Sequence, residues 1–547
     1  MTPSTTRPVT LHRFVESPPP PGAPAYDVLV VGGGITGAAL AYEAASRGCT
    51  VALVEADDFG AATSAATGKL VHGGLRYLKQ LEVRLVRESL RERRVLSNIA
   101  PNLVRPYPIA LPDAGLLERA GLTAYDLLSF DRNRVWDPGQ RIPRHRRVHA
   151  AEASTWGLGT DPHALLYHDC TMPSPERLTL AFVRSAVAHG ADVANHTRAE
   201  RFLLEGDRVV GAQVRDALTG HSTQVRARVV VNATGPWAHD VLMGTPGTER
   251  AAGRRPPVRS EGIYLVTRQL TEVMTLHVTP HGHFSCAPWR GHSLIGPTES
   301  PYRGAVHDWR LTRRSIEEFL VTINSAGLLP VTLGYDDVLF AYGGLRPLTE
   351  VAGETTYDAS RASEHIDHAH DGLGGLITVT GGKYTTSRGF AEHTYRTIAR
   401  KLGRPPGRSR TARTPLHGCD TGPLRPYLTA ASDRHRAFAP ETVRYVALHH
   451  GTEHDRVLAL ADQDPALARA LDADGELLAQ VVAATRWEMA RTLRDVLLRR
   501  TGIGTLGHPG DEVLEAVART AAAELGWSDH RTAAELDDAR QALALPA

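Results

Sequence analysis

Apolar positions follow two periods along this chain, and each change of period marks an element. From Asp27 the run Val28-Leu29-Val30-Val31 is unbroken, too short for a helix and closed by glycine. That pattern predicts a strand buried on both faces, as in a parallel sheet. It enters Gly32-x-Gly34-x-x-Gly37, then an Ala-rich helix from Ala38 to Arg47, then a second apolar run, Val51-Ala52-Leu53-Val54, ending in Glu55. In such a unit the three glycines serve a tight turn, close approach of backbone to a pyrophosphate, and close packing of helix on strand. The phosphates sit on the free N–H groups at the helix N-terminus. Glu55 is placed to accept hydrogen bonds from the adenosine ribose. The glycines alone are a weak signal; strand, glycines, helix, strand and terminal acid together are a strong one.

Farther on, Glu82 to Ile99 reads as a helix with Leu85, Val86, Leu90 and Val95 on one face. Residues 104–165 are loop-rich and suit part of an inserted second domain. Leu178 to His189 predicts another helix, and Ala191 to Val214 short strands turning at Glu205-Gly206-Asp207. The strand ending Val229-Val230-Val231-Asn232 runs into Ala233-Thr234-Gly235, a small-residue turn able to lie beside the same dinucleotide. Residues 258–345 alternate apolar and polar, as in Ile263-Tyr264-Leu265-Val266 and His283-Phe284-Ser285-Cys286, which predicts an antiparallel sheet facing a pocket. Leu376 to Thr380 is a further strand, and the helix after Gly381-Gly382 aims its N-terminus at the cofactor. Arg404-Pro405-Pro406-Gly407 suits a linker. Beyond Glu441 the pattern is helical, strongest over Trp487 to Arg500.

The expected fold class is α/β: an FAD-binding Rossmann-like domain with an inserted antiparallel-sheet substrate domain, followed by a C-terminal helical domain. The expected boundaries are a flexible tail over 1–25, the cofactor domain over 26–415 with insertions near 78–170 and 250–345, and helices over 416–547. A dinucleotide fold interrupted in this way favours FAD over NAD. At 547 residues the chain has room for two or three domains. Its net charge of +2 gives no bulk attraction for nucleic acid. Lys69, Lys79, Lys383 and Lys401 are its only lysines, so a lysine inside a motif carries more information than usual. Cys49, Cys170, Cys286 and Cys419 are scattered without ligand spacing, which fits a reduced, cytoplasmic protein and no metal centre. No apolar run approaches the roughly 18 residues of a membrane span. The N-terminal stretch carries Pro18-Pro19-Pro20-Pro21 and lacks the apolar core of a secretory signal. His368 and His370 lie in a polar stretch and read as exposed.

Five motifs, in order, carry a family resemblance: Gly32-Gly33-Gly34-Ile35-Thr36-Gly37; Thr63-Ser64; Lys69 through Leu78; Gly343-Gly344-Leu345-Arg346-Pro347-Leu348; and Gly381 through Arg388. They resemble FAD-dependent glycerol-3-phosphate dehydrogenase, and Glu488 to Thr501 looks like that family's helical domain. The resemblance implies hydride transfer from a secondary alcohol to flavin N5, with a phosphorylated alcohol as substrate and a quinone or other electron acceptor. It implies cofactor contacts from Gly32, Gly34, Gly37, Glu55, Thr63, Ser64, Lys69, Gly73, Gly235 and Gly382. Arg76 and Lys383 would hold the phosphate, with Tyr77 and Thr385 lining the same pocket. Arg346, charged at any ordinary pH, would stabilise the developing alkoxide. His72 can orient backbone, touch the flavin or move a proton. A peripheral contact with the inner membrane face is implied, and a homodimer stays open.

The substrate wall departs from the family pattern. Where the family usually places a histidine, this chain has Tyr264, preceded by Glu261 in place of a basic residue. A typical Gly-Thr-Thr-Asp turn is replaced by Gly296-Pro297-Thr298-Glu299. Two further readings therefore stand beside glycerol 3-phosphate oxidation: dehydrogenation of another phosphorylated polyol or cyclitol, and a flavin-binding scaffold without turnover.

Overall fold

The computed structural model describes residues 8–17, 24–112, 114–156, 164–253, 259–279, 282–327, 329, 331–347 and 363–547. The predicted unit forms as β1 (Tyr26–Val31), α1 (Ile35–Ala45) and β2 (Val51–Val54). Val28 to Val30 are fully buried, and β1 pairs in parallel with β2 on one side and with the strand Ser222–Asn232 on the other. The sheet runs Glu364–Asp367, Leu376–Thr380, Ser222–Asn232, β1, β2, Asp192–Ala194. Helix α1 is buried almost all round, between the sheet and the helices Pro175–Ala188 and Ser387–Leu402. Ala38, Ala41, Ala44 and Ala45 let these neighbours approach, which explains an apolar helix without a polar face. The strand Ser222–Asn232 also bends outward: its first half pairs with the hairpin Thr197–Glu205 and Arg208–Asp216, turned at Gly206-Asp207 as expected.

The second sheet comes from the interrupting segments. Arg259–Arg268 lies antiparallel between His292–Gly296 and Val338–Pro347, with Tyr264 opposite Tyr342 and Ser260 opposite Arg346. Gly282–Trp289 and Met274–Thr279 extend it antiparallel. Met274–Thr279 then pairs in parallel with Arg105–Leu111, the one departure from an antiparallel run over these strands. Leu165–Thr171 and Leu70–Val71 complete the far edge. Phe284, Cys286 and Ile295 pack on Ile316 and Phe319 of the helix Arg313–Ala326, leaving the opposite face for the cavity.

Three expectations are corrected. Residues 8–17 are not a loose tail: Leu11 is buried, its N–H donates to the Trp487 carbonyl, and Arg13 donates to Asp216 Oδ1 at 2.6 Å. Pro18 to Pro21 lie outside the described residues. His368 is buried and bonds Asp371 and Thr378; His370 is exposed.

Trp487 to Arg500 is not one helix either. Leu478–Trp487 ends there, Met489 takes a φ of +62°, and a short turn at Leu493–Asp495 leads into a wide-turn segment, Val496–Arg500. Buried polar partners break the period. Glu488 is drawn to Arg177 and Arg184, the Met489 carbonyl accepts from Asn195, and Arg500 donates to both the Glu488 carbonyl and Asp58.

These charges join the C-terminal helices to Pro175–Ala188 and set an acid limit on stability. Burial raises the Glu453 carboxyl, but Arg184 and then His417 outweigh it and hold it down to about 2. A depressed carboxyl adds stability above its unfolded value, and that stability is lost as pH falls toward the folded one. Between pH 7 and pH 3 the parent should lose about 2 kcal/mol more than Glu453→Gln. Denaturant midpoints at the two pH values measure this; equal losses would remove the charge cluster from the acid limit.

Candidate functional site

The cavity lies where strand ends of the first sheet face the open side of the second, and its volume is about 770 Å³. Backbone forms its floor. Gly32 sits at φ +107°, and a Cβ there would lie 2.5 Å from the Ala233 carbonyl oxygen, so β1 and Ser222–Asn232 end closer together than side chains permit. At Gly37 a Cβ would fall 1.9 Å from the Gly32 carbonyl, which seats α1 directly on the turn. Gly34, the N-cap of α1, offers no side chain, and Ser64 Oγ accepts the Ile35 N–H at 2.9 Å. A Cβ at Gly34 would meet only Ser64 Oγ, at 3.1 Å, so this glycine keeps wall space open rather than relieving a backbone clash.

Glu55 accepts the Gly33 N–H at 2.5 Å and the Asp57 N–H at 2.9 Å. Burial pushes its carboxyl up to about 7, against the pull of those two donors. A second backbone cradle, Gly381 to Thr385, leads into the helix Ser387–Leu402 and lines the same space, as do Thr234 and Gly235. Two helix N-termini, a glycine turn and an acid at the end of β2 are the donor and acceptor set that a dinucleotide needs. The residues present fit FAD.

The other wall is built from the second sheet and the segment Leu70 to Tyr77. Arg76 and Lys383 both stand over the Tyr77 ring, at 5.0 and 3.7 Å from its centroid. Lys383 also donates to Ser89 Oγ at 3.2 Å, and Arg76 pairs with Glu299 at 2.5 Å. Thr385 Oγ accepts the His72 N–H at 3.2 Å. Burial pushes the His72 imidazole down to about 4, with Lys383 and Arg76 adding to the shift and Asp169 opposing it. Tyr264 stacks on Tyr342, centroids 5.3 Å apart, and its hydroxyl lies 3.4 Å from Arg346 Nη2.

The structure thus brings Gly32, Gly34, Glu55, Thr63, Ser64, His72, Arg76, Tyr77, Gly235, Tyr264, Arg346, Gly382, Lys383 and Thr385 to the lining of one cavity. Gly37, Lys69 and Gly73, expected as cofactor contacts, stand behind it. Lys69 is buried, pairs with Glu176 at 3.2 Å and lies over the Trp289 and Tyr342 rings. The Gly73 N–H donates to the Tyr125 hydroxyl at 2.8 Å. Sequence reasoning placed His283, Ser285 and Glu299 in segments expected to wall a pocket but gave them no role; all three line the cavity. A signal for the first two was present: along Gly282–Trp289, Phe284 and Cys286 enter the core while His283 and Ser285 face the other way.

Residues 27–394 match the FAD dependent oxidoreductase family, and residues 409–532 match the C-terminal domain of alpha-glycerophosphate oxidase. The chain is 33% identical over 539 residues to glycerol-3-phosphate dehydrogenase 2 of Mycobacterium bovis, covering 94% of this chain and 87% of that protein. It is 30% identical to the glycerol-3-phosphate dehydrogenase of Synechocystis, covering 93% and 94%. Among solved structures it superposes on a glycerol-3-phosphate dehydrogenase from Bacillus halodurans complexed with FAD, with a TM-score of 0.74, 26% identity and 95% of each chain covered.

The two glycines of the turn separate folding from cofactor capture. Gly32→Ala should destabilise the whole protein by several kcal/mol, because it meets backbone at a positive φ. Gly34→Leu should fold and melt close to the flavin-stripped parent yet purify with little flavin. Thermal melts and the flavin absorbance per chain check both; a fully loaded Gly34→Leu would move the pyrophosphate elsewhere.

Proposed function

The chain belongs to the FAD-dependent glycerol-3-phosphate dehydrogenase family, and from that premise we propose that it oxidises sn-glycerol 3-phosphate to dihydroxyacetone phosphate. The observation that carries the reading is the pair Arg76 and Lys383, two cations held over one Tyr77 ring at the cavity wall. Each can give a phosphate a charge-assisted hydrogen bond worth about 1.5–3 kcal/mol. Bound FAD supplies the two-electron acceptor, N5, for the hydride leaving carbon 2. Arg346, carried on the strand that faces Tyr264, stabilises negative charge growing on the carbon-2 oxygen. The hydroxyl proton needs a base. His72, pushed down to about 4 by burial, is a weak acceptor although neutral above that pH. The imidazole of His283, on the same wall, takes the proton in this scheme.

One observation favours a second reading, a different phosphorylated polyol or cyclitol. Glu299 occupies one edge of Arg76 and adds a negative charge at the wall, which reshapes the anion pocket. A substrate with an extra hydroxyl could use that carboxylate as an acceptor.

Anaerobic flavin reduction against a panel of polyol and cyclitol phosphates separates the two. Glycerol 3-phosphate should bleach the flavin fastest. Arg76→Ala and Lys383→Ala should each weaken its apparent binding by about 10- to 100-fold, with flavin spectra unchanged. His283→Gln should slow bleaching by at least about 100-fold. Bleaching only by a cyclitol phosphate would select the second reading; none by any phosphorylated alcohol would end both.

For electron transfer out of the flavin, we infer a quinone acceptor reached at a membrane surface. No helix among the described residues is long and apolar enough to cross a membrane. Leu81, after the short helix Arg76–Lys79, and Leu116, Leu117 and Leu127, on the adjoining helix Leu116–Leu128, are however 70–83% exposed. Exposed leucines of this kind suit peripheral insertion. Leu116→Ser with Leu117→Ser should reduce co-sedimentation with anionic lipid vesicles severalfold; unchanged sedimentation would detach this face from the membrane.

A further inference from the structure

Away from the cavity, one cluster joins two of the C-terminal helices. His435 follows the last residue of the helix Leu424–Arg434, and His454 and Asp455 open the helix His454–Gln463. His435 Nε2 lies 2.6 Å from Asp455 Oδ1, and His454 Nε2 lies 3.2 Å from the same oxygen. One donor atom from each residue lies within 4.8 Å of the other two. The two imidazoles meet edge to face, with centroids 5.7 Å apart.

The proton on His454 is settled by its surroundings. Its Nδ1 lies 3.0 Å from the Gly451 carbonyl and 2.7 Å from the Tyr427 hydroxyl, which itself donates to that carbonyl. A carbonyl only accepts, so Nδ1 carries the hydrogen. Nε2 is left as a lone pair, on a side chain only 3% exposed, with no hydrogen-bond partner. It faces a carboxylate oxygen, a second lone pair. The buried His454 lone pair aimed at that oxygen costs free energy unless a positive centre lies between them, and the His435 Nε2–H, 2.6 Å from Oδ1, satisfies the carboxylate but not His454. Arg434 does not fill that place, because it pairs with the other oxygen, Oδ2, and so fixes Oδ1 toward the histidines.

We propose that His435 Nε2, His454 Nε2 and Asp455 Oδ1 form a binding site for one divalent transition-metal ion of the zinc class. Two imidazoles and one carboxylate are ligands that zinc accepts, whereas magnesium seeks an all-oxygen octahedron. The Gly451 carbonyl on the far nitrogen of His454 is the usual orienting contact for a metal-bound histidine. Asp455 is half exposed, so a water can take the fourth position. A tetrahedral ion wants donors roughly 3.3 Å apart, against the 2.6 Å that now separates His435 Nε2 from Asp455 Oδ1, so these two must part slightly to admit it. The ion would tie the end of one helix to the start of another, a structural role independent of the flavin chemistry.

The test uses the full-length, flavin-loaded protein, stripped with a chelator and titrated with zinc chloride against a chromophoric competitor. The parent should bind one zinc per chain that magnesium does not displace, and cobalt(II) should give visible bands at wavelengths beyond the flavin. His435→Ala and Asp455→Asn should each lower zinc affinity at least about tenfold, whereas His370→Ala, at an exposed histidine elsewhere, should not. Flavin content and reduction rate should match the parent in all three variants, which shows that they fold. Zinc should raise the melting temperature of the parent and not of His435→Ala. Equal zinc affinity in the parent, His435→Ala and Asp455→Asn, or equal competition by magnesium, would overturn the proposal.

Discussion

The constraint beneath the rest is how closely three pieces of backbone meet at Gly32. The end of β1 presses on the end of Ser222–Asn232, and α1 presses on the turn between them, each at a distance where one methyl group would collide with a carbonyl. This closeness puts two strand ends side by side at the cavity floor, next to the N-terminus of α1, whose Ile35 N–H is taken by Ser64 Oγ. The parallel pairing of β1 with both neighbours requires that both carboxyl ends point the same way, so the turns after them converge. A ligand site at that edge follows from topology before any side chain is considered.

The second sheet solves a different problem, that of placing charge against a cofactor floor made of neutral backbone. Its strands carry one apolar face into the helix Arg313–Ala326 and offer the other to the cavity. Fixed cations beside that face are costly to bury alone, and each has company. Arg76 has Glu299 and the Tyr77 ring; Lys383 has the same ring and Ser89. Such partners hold a guanidinium or ammonium in place without fully quenching it, which suits recognition of a dianion better than a free, mobile side chain would.

Behind the wall the same economy of buried charge holds the parts together. Arg388 meets Glu92 through two bonds of 2.7 Å, both residues buried, and so clamps the helix that carries the Gly381 cradle to Val83–Ile99. Lys69 is locked to Glu176 inside the protein, and its place in a motif rich in functional groups reflects that structural duty. Removing one member of such a pair leaves an unpaired buried charge, a larger penalty than the pair's own net contribution.

Local pattern alone determined a good deal about this protein. The apolar run, the glycine spacing and Glu55 specify β1, α1, β2 and a dinucleotide cradle, because backbone sterics act within a few residues. The period-2 alternation over residues 258–345 specifies a two-faced sheet for the same reason. Only the tertiary structure decided which charged residues face the cavity and which are spent inside. Lys69 and Lys383 look alike in sequence, yet one neutralises Glu176 and the other stands over Tyr77, since the partner lies more than a hundred residues away. Trp487 to Arg500 shows the same limit: its helical period is genuine, but Arg177, Arg184, Asn195 and Asp58 bid for its polar groups, and buried charge outweighs helix propensity.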